Sequence, residues 1–361
     1  MKYFIIFIVL SFSCKKKTSA HTNDGNWPAD KVRVVKSGLS FPWEILWGKD
    51  NHIWMTERGG KISKIDPLNG TTVFSASIPD VVSNGEGGLL GMVHHPDFVN
   101  NGLLYVVYNY ENNGNYREKV VRFRVADNTL KDELTLLQNI PASGIHNGSR
   151  LWITEDNKLL ISTGDASNSS NAQSTGSLSG KVLRLNLDGS IPQDNPISNS
   201  PVWSFGHRNP QGLVIANGKT YISEHGPSVE DEVNIVQKGR NYGWPNVTGP
   251  CDGSEQTFCI ANNIVPPIWS SGGSTAATAG LDYYNNDRIA TWTNSLLLTT
   301  LKDATLYQLK LSTDGNSVQS VTPYFKGNWG RLRDICISPA GRVYLCTSNG
   351  GNDKIIEIQG L

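Results

Sequence analysis

A chain of 361 residues with 38% apolar content is long enough to bury one large core or two ordinary ones, which excludes a disordered chain. Thirty-two basic residues balance thirty-two acidic ones, so there is no global field to gather nucleic acid or an anionic membrane, and any charge recognition is local. Thirty-six glycines, ten tryptophans and many short V/I/L/Y runs, with no long segment of helical period, point to an all-β protein.

The chain begins MKYFIIFIVLSFSC, one lysine followed by an apolar run from Tyr3 to Phe12. That run is about half of the roughly 20 residues a membrane-spanning helix needs, and it reads as an export signal. Its ending, Leu10-Ser11-Phe12-Ser13-Cys14, resembles a bacterial lipobox. On that resemblance residues 1–14 are a lipoprotein-type signal peptide with Cys14 acylated; an ordinary signal peptide cleaved elsewhere is the competing reading. Residues 15–30, Ser/Thr/Asn-rich over 18–26, form a tether, and 31–361 the folded domain. The expected location is outside the cytoplasm, facing the periplasm or cell surface, with the membrane touched only through the lipid.

Six copies of one unit come next: an apolar strand, a turn rich in Gly, Asn, Asp or Pro, and a second strand ending in small polar residues. They lie at 43–57, 89–108, 149–165, 211–226, 280–300 and 332–348. Most are followed by a third run, such as KISKI (61–65), VVRFRV (120–125), KVLRLNL (181–187), TLYQLKL (305–311) and KIIEI (354–358). A period of tens of residues with one internal grammar predicts a six-bladed β-propeller in preference to a β-sandwich.

In an antiparallel hairpin the residues before the first strand and after the second share one end. Six hairpins therefore gather such residues at one channel mouth. Before first strands stand Glu86, His146 with Asn147, Arg208 with Asn209, and Arg331 with Arg333; after second strands stand Asp165, Glu224-His225-Gly226-Pro227, and Lys302 with Asp303. Alone, each has an ordinary explanation as a turn residue or ion-pair partner. Together, Arg208, Lys302, Arg331 and Arg333 repel one another unless an anion compensates, and a compact polycarboxylate suits them. His146 reads as a general base with Asp165 as its orienting carboxylate. The stretch EHGPSVEDE (224–232) supplies turn carbonyls and acids of the kind Ca²⁺ prefers. In FGHRNPQGL (205–213), His207 is assigned only a structural hydrogen bond.

With Cys14 set aside four cysteines remain. Cys251 and Cys259 bracket CDGSEQTFC and are paired as a disulfide; Cys336 and Cys346 are either a cross-strand bridge or two buried thiols.

The pieces EGGLLGMVHHPDF (86–98), IHNGSRL (145–151), TGD (163–165), GKVLRLNLDGSIPQDNP (180–196), GHRNPQGL (206–213), SEHGP (223–227), DEVN (231–234), GRNYGWPNV (239–247), LK (301–302) and RLRD (331–334) resemble, in order and spacing, the soluble PQQ-dependent glucose/sorbosone dehydrogenase family, which includes aldose sugar dehydrogenases. The resemblance runs from about Pro42 to Ile358. It implies a six-bladed propeller that holds pyrroloquinoline quinone (PQQ), a planar tricarboxylate, over the channel mouth through Arg208, Asn209, Lys302, Arg331 and Arg333, with Glu86 and Trp269 beside it. It also implies Ca²⁺ on the backbone carbonyls of Gly226 and Pro227, His146 as catalytic base and Asp165 as its partner. The expected reaction is oxidation of an aldose C1 hydroxyl to a lactone, with electrons passed on to a separate acceptor. Ile145 and Glu86 depart from the family pattern, which has an aspartate and a glutamine there. A Ca²⁺-dependent lactonase-type hydrolase and a non-catalytic binding propeller are the alternatives. Neither the sugar nor the oligomeric state is legible.

Overall fold

Runs such as IWMTE and KLLIST centre on consecutive apolar residues and are buried at nearly every position, as short strands covered on both faces are. In the computed structural model, which describes residues 27–361, they lie inside six four-stranded antiparallel sheets. The signal segment, Cys14 and the tether as far as residue 26 fall outside the described residues.

The first strand is β1 (Val32–Leu39). The first blade is β2 (Pro42–Trp47), β3 (Ile53–Glu57), β4 (Lys61–Ile65) and β5 (Thr72–Ser77), and the second is β6 (Leu89–His94), β7 (Leu103–Asn112), β8 (Asn115–Ala126) and β9 (Thr129–Pro141). The third comprises β10 (Gly148–Ile153), β11 (Lys158–Thr163), β12 (Lys181–Asn186) and β13 (Val202–Phe205). The fourth comprises β14 (Pro210–Ala216), β15 (Lys219–Glu224), β16 (Glu232–Val236) and β17 (Trp269–Ser270). In the fifth are β18 (Thr278–Tyr284), β19 (Ser295–Thr300), β20 (Leu306–Leu311) and β21 (Val318–Tyr324). The sixth has β22 (Leu332–Ile337), β23 (Val343–Thr347) and β24 (Asp353–Ile358), and β1 completes it by pairing with β24 from Val32↔Ile358 onward.

The six expected hairpins are thus the first two strands of the six blades. The repeat spacing fits four-stranded blades, but the positions of the fourth strands and the closure by β1 were not located in the sequence. Six of the hydrophobic clusters fall one to each interface between neighbouring blades, for example Trp54, Phe98 and Tyr108 between the first and second, and Tyr284, Trp292 and Ile356 between the fifth and sixth. Radial repetition closed by β1 leaves only outer edges uncovered.

Cys251 is bonded to Cys259. Cys336 and Cys346 are buried free thiols. In the β22–β23 register Cys336 faces Tyr344 and Cys346 faces Asp334, so the two sulfurs are diagonal neighbours instead of an opposed pair.

The inner strands β2, β6, β10, β14, β18 and β22 line the axis, and there a buried ion cluster joins five of them. Arg150 Nη1 lies 2.6 Å from Glu44 Oε2 and 2.9 Å from Asp334 Oδ2, and Arg150 Nε donates to the Gln211 carbonyl at 2.8 Å. Asp334 Oδ2 also accepts the Ile45 N–H at 2.7 Å. Removing one partner of a buried pair strands the other charge, at a cost of about 3–5 kcal/mol. Arg150→Leu should lower the unfolding free energy by that amount in urea titration at pH 7, and adding Glu44→Gln with Asp334→Asn should restore most of it.

Glu118 on β8 is a second buried acid. It is fully buried, its Oε1 accepts the Ser149 hydroxyl, its Oε2 has no partner, and burial raises its pKa to about 8 from an ordinary 4.5. The folded chain holds this proton more tightly than the unfolded one, so stability should fall as pH rises from about 4.5 to about 8. The loss is on the order of 4 kcal/mol. Glu118→Gln should flatten that slope in thermal unfolding measured across the same range.

Candidate active site at the channel mouth

The turn into β10 carries His146 and the turn out of β11 carries Asp165. Gly148 adopts a left-handed φ of 68°, and a side chain at Gly164 would run into the His146 carbonyl, so glycine at these points lets the two turns close on each other. His146 itself is left-handed at φ 59°, an uncommon conformation for a residue with a side chain. Its Nδ1 lies 2.9 Å from Asp165 Oδ1. That contact assigns Nδ1 as donor and leaves Nε2 as the ring's free acceptor.

Asp165 is 1% exposed and held on every side. Its Oδ1 also accepts the Ser167 N–H, its Oδ2 accepts Trp244 Nε1 at 2.9 Å, and its own N–H donates to the Arg208 carbonyl at 2.8 Å. A carboxylate pinned in this way fixes the tautomer and direction of the imidazole.

Arg208 and Asn209 come from the turn into β14. The Arg208 N–H donates to Glu224 Oε2 at 2.9 Å, its guanidinium lies over the Trp244 ring with Cζ 5.3 Å from the centroid, and Nη1 reaches the His225 carbonyl at 3.3 Å. Burial lowers its pKa, opposed by Asp165, Asp231, Glu224 and Glu86. Asn209 is fully buried, with Oδ1 accepting the Gly148 N–H at 3.0 Å. Arg333 lies within β22 instead of ahead of it, and Nη1 donates to Gln211 Oε1 at 2.6 Å. Burial pushes it down to about 10, Glu86 opposes, and Arg331 and Arg58 push the same way as burial. Arg331 and Lys302 are exposed; their backbone N–H groups are anchored on Asn349 Oδ1 and the Ala276 carbonyl.

Arg58, which comes directly after β3, was not among the expected residues, although the same hairpin rule selects it. Its Nη1 donates to the Gly85 carbonyl at 2.6 Å and its guanidinium covers Phe41. The Nε atoms of Arg58, Arg208 and Arg333, together with Asn209 Nδ2, are buried donors without a partner. Four unmet donors, three of them cationic, are the complement of a ligand rich in carboxylate oxygens.

Gly226 and Pro227 line a small cavity with Arg208, Glu224, Glu230, Glu232 and Trp244. Among the described residues neither carbonyl accepts a hydrogen bond, so both fit a hard cation. No group of three or more His, Cys, Asp or Glu side chains suited to a metal occurs among the described residues, so a cation here would rest on those carbonyls. The turn is held by Asp231, fully buried, which accepts the N–H groups of Gly226, Ala276 and Ala277 and the Thr275 hydroxyl. Asp231 was expected only as one acid of a cation-binding stretch; its carboxylate is instead turned inward.

His207 has the structural place assigned to it, buried between Glu224 Oε1 at 3.1 Å and Ser204 Oγ at 2.8 Å. Trp269 joins none of these networks; it is half-buried on the outermost strand β17, 6.3 Å from Tyr307 between ring centroids. Trp244, inside the motif GRNYGWPNV but not singled out, is the aromatic in contact with both Arg208 and Asp165.

The family described as Glucose / Sorbosone dehydrogenase matches residues 39–357. Quinoprotein glucose dehydrogenase B of Acinetobacter calcoaceticus is 32% identical, the alignment covering 89% of this chain and 86% of that one. Aldose sugar dehydrogenase YliI of Escherichia coli (strain K12) is 31% identical over 90% and 91%. Among solved structures, the PQQ-bound form of aldose sugar dehydrogenase from Streptomyces coelicolor aligns with a TM-score of 0.77 at 29% identity, covering 91% of this chain and 98% of that one.

Asp231→Ala would leave three backbone N–H groups and a hydroxyl without their acceptor, each costing about 1 kcal/mol or more. Chemical unfolding should show a loss of at least about 3 kcal/mol, with Asp231→Asn losing less.

Proposed function

Because the chain belongs to the glucose/sorbosone dehydrogenase family, we propose that it is a PQQ-dependent sugar dehydrogenase that oxidises the C1 hydroxyl of an aldose to the lactone. The observation that carries this reading is the His146–Asp165 pair, 2.9 Å apart and joined through the Asp165 N–H to the Arg208 carbonyl.

Pyrroloquinoline quinone, when bound, supplies the hydride acceptor. Arg58, Arg208, Asn209 and Arg333 offer their unmet donors to its carboxylates, with exposed Arg331 and Lys302 adding charge from the rim. The carbonyls of Gly226 and Pro227 would hold Ca²⁺. His146 Nε2 takes the proton from the C1 hydroxyl, and Asp165 stabilises the imidazolium that forms while keeping Nδ1–H directed at itself. Trp244 locks the second carboxylate oxygen, so Asp165 cannot swing away to bind substrate. Which aldose fits, and which acceptor removes the electrons, depends on the loops around the mouth. The N-terminal segment supports an exported chain anchored through Cys14. Among the described residues no helix is long and apolar enough to cross a membrane.

Apo-protein mixed with PQQ and Ca²⁺ should bind the quinone and reduce a dye with a panel of aldoses; absence of PQQ binding overturns the proposal, and binding without turnover favours a non-catalytic propeller. His146→Ala should lower kcat by about 10²–10⁴-fold while the dissociation constant for PQQ stays near the native value, the expected cost of losing a positioned base. Loss of quinone binding in that variant would remove His146 from the base role.

A further inference from the structure

The cations at the mouth share one acidic neighbour. Glu86 stands in the turn before β6, half-buried, its N–H donating to the Gly144 carbonyl at 2.7 Å and its Oε2 3.4 Å from the His146 nitrogen. Among the described residues it makes no direct ion pair, yet its field favours the charged forms of Arg58, Arg208 and Arg333, and it is the foremost favourable influence on Arg58 and Arg333. Arg58 packs on the same turn, its Nη1 donating to the carbonyl of Gly85, and with Arg208 ahead of β14 and Arg333 in β22 the cations that share this carboxylate come from three blades. Arg331, also at the mouth, acts on Arg58 and Arg333 in the opposite sense.

We propose that Glu86 is the built-in counter-ion of the mouth, balancing its guanidinium groups while no anion is present and setting the charge an entering ligand must carry to displace that balance. This rests on the reading that the mouth holds a polycarboxylate cofactor. The backbone hydrogen bond to Gly144 keeps Glu86 at the mouth when a ligand arrives. Its repulsion, which grows with the charge of the ligand, is subtracted from every anion's affinity. Glu86 thereby steadies the empty mouth at some cost in affinity for any anion, the cofactor included.

The test compares native protein with Glu86→Gln and Glu86→Asp, all as apo-protein at low salt, using PQQ and citrate as probes. Glu86→Gln should melt about 2–4 °C below native without anion. It should bind both probes roughly tenfold more tightly, the scale of one charge removed at several ångströms. Glu86→Asp, which keeps the charge, should stay within about twofold of native. An unchanged or higher melting temperature for Glu86→Gln, or unchanged or weaker binding of citrate, overturns the counter-ion role. If citrate behaves as expected but no form binds PQQ, the counter-ion role stands and the cofactor reading falls.

Discussion

One buried guanidinium ties the molecule together at its axis. Arg150, carried by β10, is ion-paired to Glu44 of β2 and Asp334 of β22 and donates to the backbone of β14 at Gln211. The two carboxylates in turn accept N–H groups of β2 and β6, at Ile45 and Met92. Five of the six inner strands therefore share one hydrogen-bonded cluster, and the stacking of Arg150 on Trp43 covers its flat face. Burial raises the pKa of both Glu44 and Asp334, and the attraction of Arg150 opposes that shift in each. Such a cluster is a poor source of net stability but a strict one of geometry, because each missing partner leaves an uncompensated charge. It fixes the rotation of the blades about the axis, which apolar contacts between blades would leave looser.

The same cluster reaches the candidate site. Gln211 gives its carbonyl to Arg150 and its side-chain oxygen to Arg333, so the direction of a mouth cation is set from the axis. Hairpin geometry does the rest: residues just ahead of an inner strand meet those just past its partner strand. That constraint brings His146 to Asp165 and Arg208 to Glu224, and it gathers cations whose burial and mutual repulsion are unfavourable before any ligand is present. The donors that such a mouth leaves unmet are buried beneath it, held in place by the blades and not by partners of their own.

The paired inner strands were readable in the sequence because both faces are buried, and nearly every residue from Ile53 to Glu57 or Lys158 to Thr163 reports it. The outer strands were not, because they face solvent: β5 and β21 expose most of their residues, and β17 spans only two. Nor was β1 legible as the closing strand, because its partner β24 lies more than three hundred residues away and no local pattern encodes that pairing. At the site the hairpin rule located His146, Asp165, Arg208 and Asn209, whose positions derive from strand ends. It would have located Arg58 had it been applied to the first unit. Trp244 and Asp231 lie in loops whose course depends on tertiary contacts, so their motifs carried the residues without revealing where the side chains point.

The two ends of the axis are lined differently. Away from the cation-lined mouth, where the first hairpin turns gather, lies a cavity of about 760 Å³ whose lining includes Glu44, Asp282 and Asp334 against the guanidinium of Arg150 at its base. Burial raises Asp282 to about 7, with Asp334 adding to the shift, so part of that acidity is held back as bound protons near neutral pH. Both ends hold unmet cationic donors, Arg150 Nη2 beside this cavity and the Nε atoms of Arg58, Arg208 and Arg333 at the mouth, but Arg150 is already ion-paired to Glu44 and Asp334. What sets the mouth apart is number: three guanidinium groups and Asn209 hold donors in reserve there, beside His146 with its Nε2 unspent.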